Sequence, residues 1–250
     1  MSRFRQLQSV KKALFVMPRS VFFVSAVFLS IHLGIAAWLP LFDDEAYYAL
    51  WARDLAAGYY DHPPLIAYMI RLGTSLIGET AFGIRLLSVI CFSAAGYLVG
   101  DIARISGDRP VMPVLATTLY NLNLLVFALG SFATPDAPST LFWVAALWAA
   151  CRAVTPSAGT GSQMLWWLGT GVLVGLGCLS KFTNAFLAVG LLAYLFSSAK
   201  GRSYLLTHCS EADLLEHLAQ HFLRTDVITG DEQDSSRLVG RWIINPLHRN

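Results

Sequence analysis

The sequence predicts an all-α integral membrane protein, and three observations carry that expectation. Hydrophobic residues make up 55% of the 250 residues and charged residues only 14%, a balance outside that of soluble globular domains. The mean hydropathy is +0.53. The apolar residues also come in uncharged runs, and about 20 helical residues are enough to cross a hydrocarbon layer about 30 Å thick. A net charge of +2, with basic residues in short clusters rather than along one face, excludes nucleic acid as a partner. Charge in this chain reports topology instead.

Residues 1–20 form an amino-terminal segment with Arg3, Arg5, Lys11, Lys12 and Arg19, the composition of a cytoplasmic end. The run from Val21 to Phe42 is uncharged and reads as the first span. A cleaved secretory signal is its rival reading, opposed by its length, the lack of an A-x-A site and the spans that follow. Leu86 to Gly100, flanked by Arg85 and Asp101, is the second span, and Pro110 to Pro135, with no charge, the third. Ala137 to Cys151 follows Asp136 as the fourth. The stretch from Leu165 to Ser198 is too long for one ordinary span and is interrupted by Ser180-Lys181-Phe182-Thr183-Asn184, so it divides into two. About six transmembrane helices are therefore expected, within a domain over residues 21–200.

The positive-inside rule agrees with this count. Arg104 with Arg109, Arg152, and Lys200 with Arg202 all fall on the side of the amino terminus. The loop over residues 43–79, the Thr134-Pro135-Asp136 turn and the Lys181 turn then face outward together. In that loop, Tyr48, Trp51, Ala52 and Leu55 recur at helical spacing with Arg53 and Asp54 on another face, so Glu45 to Ala57 reads as an interfacial helix ended by Gly58. Pro63 and Pro64 suit the start of a second interfacial helix reaching about Ile77. Asp61 and His62 precede its amino terminus, where partial positive charge favours an anion such as a phosphate.

Several other features read as packing. Cys91, Cys151 and Cys178 lie in apolar runs, Cys209 lies in the tail, and none has metal or C-x-x-C spacing. His32 reads as a hydrogen-bonded packing residue, and Gly171 with Gly175 as a close helix contact. Residues 201–250 change character to a polar, acid-rich tail, expected in the cytoplasm. Ser210 to Leu223 could form an amphipathic helix carrying His217 and His221, two histidines that lack a third metal ligand, and residues 230–236 read as a linker.

A charge at bilayer depth costs several kcal/mol, so acids gathered at the water edge of a span point to chemistry. The segments concerned are Asp43-Asp44-Glu45-Ala46-Tyr47-Tyr48 and Gly58-Tyr59-Tyr60-Asp61-His62-Pro63-Pro64. Together with T-P-D-A-P at residues 134–138 and L-S-K-F-T at residues 179–183, they resemble the polyprenyl-phosphate-dependent GT-C glycosyltransferases, in the branch of the protein mannosyltransferases and the aminoarabinose transferase of lipid A. The resemblance covers roughly residues 15 to 200. The first two motifs carry most of its specificity, and the tail lies outside it.

The resemblance implies a multi-pass enzyme of the plasma (inner) membrane. It would transfer a sugar, with inversion, from a polyprenyl-phosphate donor to a lipid, glycan or protein acceptor on the outer face. It implies Asp44 as general base beside Glu45, and a divalent metal cation as the one cofactor, held at Asp61. It puts His62 at the donor phosphate, where the lipid A branch has lysine. The chemistry itself asks for these residue types. A polyprenyl phosphate leaves readily, so what remains is to deprotonate an acceptor hydroxyl and to neutralise phosphate charge. A carboxylate such as Asp44 suits the first task, and His62, Lys181 and Arg85 suit the second. Tyr47, Tyr48, Tyr59 and Tyr60 suit sugar packing or headgroup anchoring, and Asp136 is a further substrate-site candidate.

Each of these residues has a plainer reading. Asp43 to Glu45 would be a solvated span end, Asp61-His62 a polar turn, Asp136 a helix cap, and Lys181 and Arg85 snorkelling cations. Two other functions remain open on sequence alone. A transporter or flippase-like protein expects charges near mid-span and inverted halves, whereas the charges here collect at one face. An inactive fragment that only inserts or associates is the other reading, marked by the tail after residue 202.

Overall fold

A computed structural model of the chain describes residues 17–107, 109–155, 160–198 and 202. All the regular structure among these residues is helical. Packing groups the described residues up to Gly190 into one compact unit and those from Leu191 onward into a second. Arg3, Arg5, Lys11 and Lys12 of the amino-terminal cluster, Lys200, the expected tail helix with His217 and His221, Cys209 and the 230–236 linker lie outside the described residues.

Helix α1 (Arg19–Trp38) stops short of the expected Phe42 because Leu39 precedes Pro40. A residue before proline is driven out of the helical region, and Leu39 is extended at φ −79° and ψ 143°. Helix α2 (Asp43–Trp51) starts with three acids in its first turn, where the helix dipole favours them. The Glu45 carboxylate reaches back to accept the Phe42 N–H at 3.2 Å. This helix ends at Trp51 rather than near Ala57. Helix α3 (Leu65–Ile77) begins directly after the two prolines and closes on Gly78, whose φ of 98° favours glycine.

Helix α4 (Ala81–Ser106) is capped by the Thr80 hydroxyl, which accepts the Gly83 N–H at 3.0 Å. It is longer than the expected 86–100 span because Arg85 and Asp101 lie within the helix. The third apolar run forms two helices, α5 (Met112–Leu122) and α6 (Leu124–Leu129), divided at Asn123. The Asn123 side chain accepts N–H groups of Leu125 and Val126, capping α6 and ending α5. Helices α7 (Asp136–Ala153), α8 (Thr160–Cys178) and α9 (Ala185–Ser197) follow, with a 3-10 turn at Phe182–Asn184 before α9.

Helix α4 is the central element, packing against α1, α3, α5 and α7, while α8 packs on α7. Its contact with α3 is backbone to backbone, since a Cβ on Gly73 would run into the Gly83 carbonyl and one on Gly83 into the Gly78 carbonyl. At its far end Asp101 accepts from Arg104 Nε at 2.6 Å, Trp148 Nε1 at 2.7 Å and Arg152 Nη2 at 2.9 Å, tying α4 to α7. His32 is buried and shares a 2.9 Å hydrogen bond with the Ser131 hydroxyl, as a packing histidine does. The G-x-x-x-G of α8 does not behave as expected. Nothing lies within 4 Å of a Cβ placed on Gly171 or Gly175, so those glycines face open space. Helices α1 and α4 are long and apolar enough to cross a membrane, and α3, Gln163–Cys178 and Phe182–Ser197 are shorter apolar helices.

Candidate functional site

The site is organised around one buried ion pair. Arg85 and Glu45 are 0% and 1% exposed. Arg85 donates from Nε to Glu45 Oε1 at 2.8 Å and from Nη2 to Oε2 at 2.5 Å. Its remaining donors go to the carbonyls of Ala36, Leu39 and Pro40 at 3.0, 2.7 and 2.7 Å. A guanidinium has five N–H groups, and all five are engaged within the protein. Glu45 also accepts the Ala133 N–H at 2.8 Å. The end of α1, the start of α2, the middle of the chain and α4 thus meet at two side chains. Sequence reading grouped Glu45 with Asp44 as catalytic and Arg85 with the phosphate contacts, whereas both sit inside the protein at a joint.

That joint sets the rotation of α2. With Glu45 turned inward, Asp44 is exposed, and Tyr47, Tyr48 and Trp51 share its side at helical spacing. The Tyr47 hydroxyl donates to Asp61 Oδ2 at 2.9 Å, and this bond to a carboxylate holds the phenol above its ordinary value. The loop carrying Asp61 folds back on α2 through Tyr59, whose ring stacks on Trp51 at 4.4 Å with an interplanar angle of 3°. The Tyr59 hydroxyl donates to the carbonyls of Trp51 and Asp54, and the Tyr59 N–H donates to the His62 carbonyl. The His62 ring stands 6.0 Å from Tyr48 and 6.5 Å from Trp51, centroid to centroid. Tyr60 is 98% exposed.

The other two motifs dock together. Lys181 Nζ donates to Asp136 Oδ1 at 2.7 Å, the Ser180 hydroxyl donates to the Pro135 carbonyl at 2.7 Å, and Asn184 Nδ2 donates to the Ser139 hydroxyl at 2.6 Å. The Leu65 N–H, directly after H-P-P, donates to the Leu179 carbonyl at 3.1 Å. Tyr48 is where the two halves meet electrostatically. Its phenol is pushed up first by burial, then by the negative charges of Asp44, Asp136 and Asp61. Carboxylates from three separate motifs therefore act on one half-buried hydroxyl, with a lysine ion-paired to one of them. Sequence reading named Tyr48 only as one tyrosine among four.

The same side of the molecule does not assemble a metal site from these residues. Asp61 already accepts from Tyr47, and among the described residues no three of His, Cys, Asp and Glu come together. A divalent cation with oxygen ligands takes about six of them, and one or two carboxylates hold it only when substrate phosphates and waters complete the shell. The residues present do not fit one by themselves.

Residues 61–213 match the family model described as dolichyl-phosphate-mannose-protein mannosyltransferase, more than half of the chain, beginning at the aspartate that Tyr47 holds. The chain belongs to this family. Sequences similar to it include the lipid A galacturonosyltransferase RgtD of Rhizobium johnstonii. That protein is 32% identical over 174 residues, 65% of this chain and 35% of the relative. The undecaprenyl phosphate-alpha-4-amino-4-deoxy-L-arabinose arabinosyl transferase of Edwardsiella ictaluri is 30% identical over 173 residues, covering 63% and 30%. Its namesake from Pseudomonas aeruginosa is 28% identical over 185 residues, covering 68% and 31%. This family member spans about a third of the length of the curated relatives it matches. No solved structure matches it.

Proposed function

We propose that this chain carries the donor-handling part of a glycosyltransferase that moves a sugar, with inversion, from a polyprenyl phosphate to an envelope lipid, glycan or protein acceptor. The acceptor class nearest to hand is lipid A, which the name of one relative prints, and the donor class follows the undecaprenyl phosphate in the names of others. The chain crosses the plasma (inner) membrane six times with its amino terminus in the cytoplasm. The crossings are α1, α4, α5 with α6, α7, α8, and the 3-10 turn with α9. The observation that supports the reading is the docking of the motifs on one another, with Tyr47 on Asp61 at 2.9 Å, the Leu65 N–H on the Leu179 carbonyl at 3.1 Å and Lys181 on Asp136 at 2.7 Å.

In this mechanism Asp44 takes the proton of an acceptor hydroxyl. The acceptor oxygen attacks the anomeric carbon from the side opposite the phosphate, the bond from that carbon to the phosphate oxygen breaks, and its electron pair leaves on the lipid phosphate. Lys181 and His62 meet the developing phosphate charge through charge-assisted hydrogen bonds. Asp136 holds Lys181 in position, and Tyr47 orients Asp61 toward the sugar. Tyr60 offers an exposed ring for sugar packing. Arg85 and Glu45 are positioning residues that fix the rotation of α2, and with it the aim of Asp44.

The test uses the full chain in lipid vesicles with an undecaprenyl-phosphate sugar. Asp44→Asn is expected to lower transfer by about 10²–10⁴-fold while donor binding is kept, the usual worth of a general base. Lys181→Ala is expected to weaken donor binding. Unchanged transfer in Asp44→Asn, or unchanged donor binding in Lys181→Ala, contradicts the assignment.

A further inference from the structure

Beside α2 lies a hollow lined by none of the residues given a part in the proposed reaction. It has a volume of about 320 Å³ and lies between α2, α3 and the start of α4. Small-molecule sites begin at about 300 Å³. Its walls are mainly aliphatic, with Ala46, Leu50, Ile70 and Ile84 among them, and two guanidinium groups, Arg53 and Arg71, line it. On α2 the hollow takes Ala46, Ala49 and Leu50, with Arg53 just past the helix end, and Asp44, Tyr47 and Trp51 are not among its walls.

The charges of the hollow are open to a ligand. Arg53 faces Glu79 at 3.8 Å, with side chains 66% and 73% exposed. An exposed pair at that distance contributes about 0–1 kcal/mol and yields readily to a better acceptor. The Arg71 side chain is exposed and has no acceptor among the described residues. Two guanidinia against one carboxylate leave an excess positive charge above apolar walls. Beside them α3 presents exposed Tyr68, Leu72 and Leu76. Among the described residues no aromatic ring lines the hollow, so they supply no stacking surface of the kind a sugar uses.

We infer that the hollow formed by α2, α3 and α4 binds a membrane lipid through its anionic phosphate headgroup, with Arg71 and Arg53 on the phosphate and the aliphatic wall against the upper acyl chain. Arginine suits the role because its planar fork meets phosphate oxygens in pairs. The inference rests on the reading above only in placing α2 and α3 at the membrane surface. It gives the chain a second lipid site, lined by none of the residues assigned to the donor.

The test titrates the purified full chain, in neutral detergent, with dioctanoyl phosphatidic acid and with dioctanoyl phosphatidylcholine, and reads Kd calorimetrically. Phosphatidic acid is expected to bind about tenfold more tightly than phosphatidylcholine, and Arg71→Ala to remove about that tenfold, as loss of one charge-assisted pair does. Ala46→Trp, which fills the hollow and keeps both guanidinia, is expected to weaken binding equally, and Lys181→Ala to leave it unchanged. Equal affinity for the two lipids overturns the inference, as does unchanged binding in Arg71→Ala or Ala46→Trp. Competition by inorganic phosphate at matching concentration overturns the lipid assignment in favour of a free-anion site. A weakening by Lys181→Ala as large as that by Arg71→Ala places the ligand at the donor surface and overturns a separate site. Because the readout is binding rather than transfer, a chain inactive with sugar donors leaves each of these outcomes decisive.

Discussion

Asp44 and Glu45 are neighbours in sequence with opposite fates. A helix turns 100° per residue, so the acid one step on from an exposed Asp44 is buried against Arg85. The sequence groups the D-E pair as catalytic candidates, but which of its acids faces water depends on Arg85, forty positions away. Nothing local in the sequence states that pairing. It has a measurable consequence for stability. Glu45→Ala leaves a buried guanidinium without its counter-charge and is expected to cost about 3–5 kcal/mol, whereas Glu45→Gln, which keeps an acceptor for Arg85 and for the Ala133 N–H, is expected to cost less. Thermal unfolding in detergent of the two variants checks this, and a loss below about 1 kcal/mol from Glu45→Ala would contradict a buried ion pair at this joint. Tyr47 carries a second residue-level expectation. Its bond to Asp61 raises the phenol above 10.0, so the hydroxyl stays a donor below that pH and the bond is lost only as pH rises through the higher value. Asp61→Asn is expected to bring the Tyr47 titration back toward 10.0, read as the difference in tyrosinate absorbance between each protein and its Tyr47→Phe version. An unmoved midpoint would mean that the carboxylate is not the cause.

At the scale of elements, the apolar runs foretold where helices lie, and the misreadings have local causes. The second run was drawn from Leu86 to Gly100 because Arg85 and Asp101 looked like boundaries, yet α4 continues through both. A charge marks a boundary only when it must reach water, and here each finds protein partners instead. The third run was drawn unbroken, and Asn123 divides it because its side chain offers α6 a cap. The glycines were misjudged in the reverse direction. The G-x-x-x-G spacing drew notice to Gly171 and Gly175, which face open space, while Gly73 and Gly83, with no such signature, bring α3 and α4 into backbone contact. Gly73→Ala is expected to force that contact apart and destabilise the chain by about 1–3 kcal/mol. Gly171→Ala meets no neighbour and is expected to stabilise α8 by about 0.5–1 kcal/mol. Thermal melting of the two variants in the same detergent decides between them, and a loss from Gly171→Ala equal to that from Gly73→Ala would contradict the packing described for α3 and α4.

For the whole molecule, the resemblance carried by four short motifs foretold the family that the comparison returned over residues 61–213. The motifs were readable because each holds charge where lipid-facing sequence has none. Their meeting was less readable, because contacts such as Leu65 N–H to the Leu179 carbonyl and Lys181 to Asp136 join parts of the chain whose separation no local pattern spans. In the proposed topology, what brings them to one side is the number of crossings between them. An odd change in that number would move Lys181 to the opposite side from Asp44. The most direct measurement is therefore the sidedness of single cysteines in a version of the full chain with Cys91, Cys151, Cys178 and Cys209 replaced. Asp54→Cys and Thr183→Cys are expected to react with a membrane-impermeant thiol reagent in intact cells, and Thr155→Cys only after the membrane is opened. Labelling of Asp54→Cys and Thr183→Cys from opposite sides would contradict a shared outer site for the donor phosphate and its base.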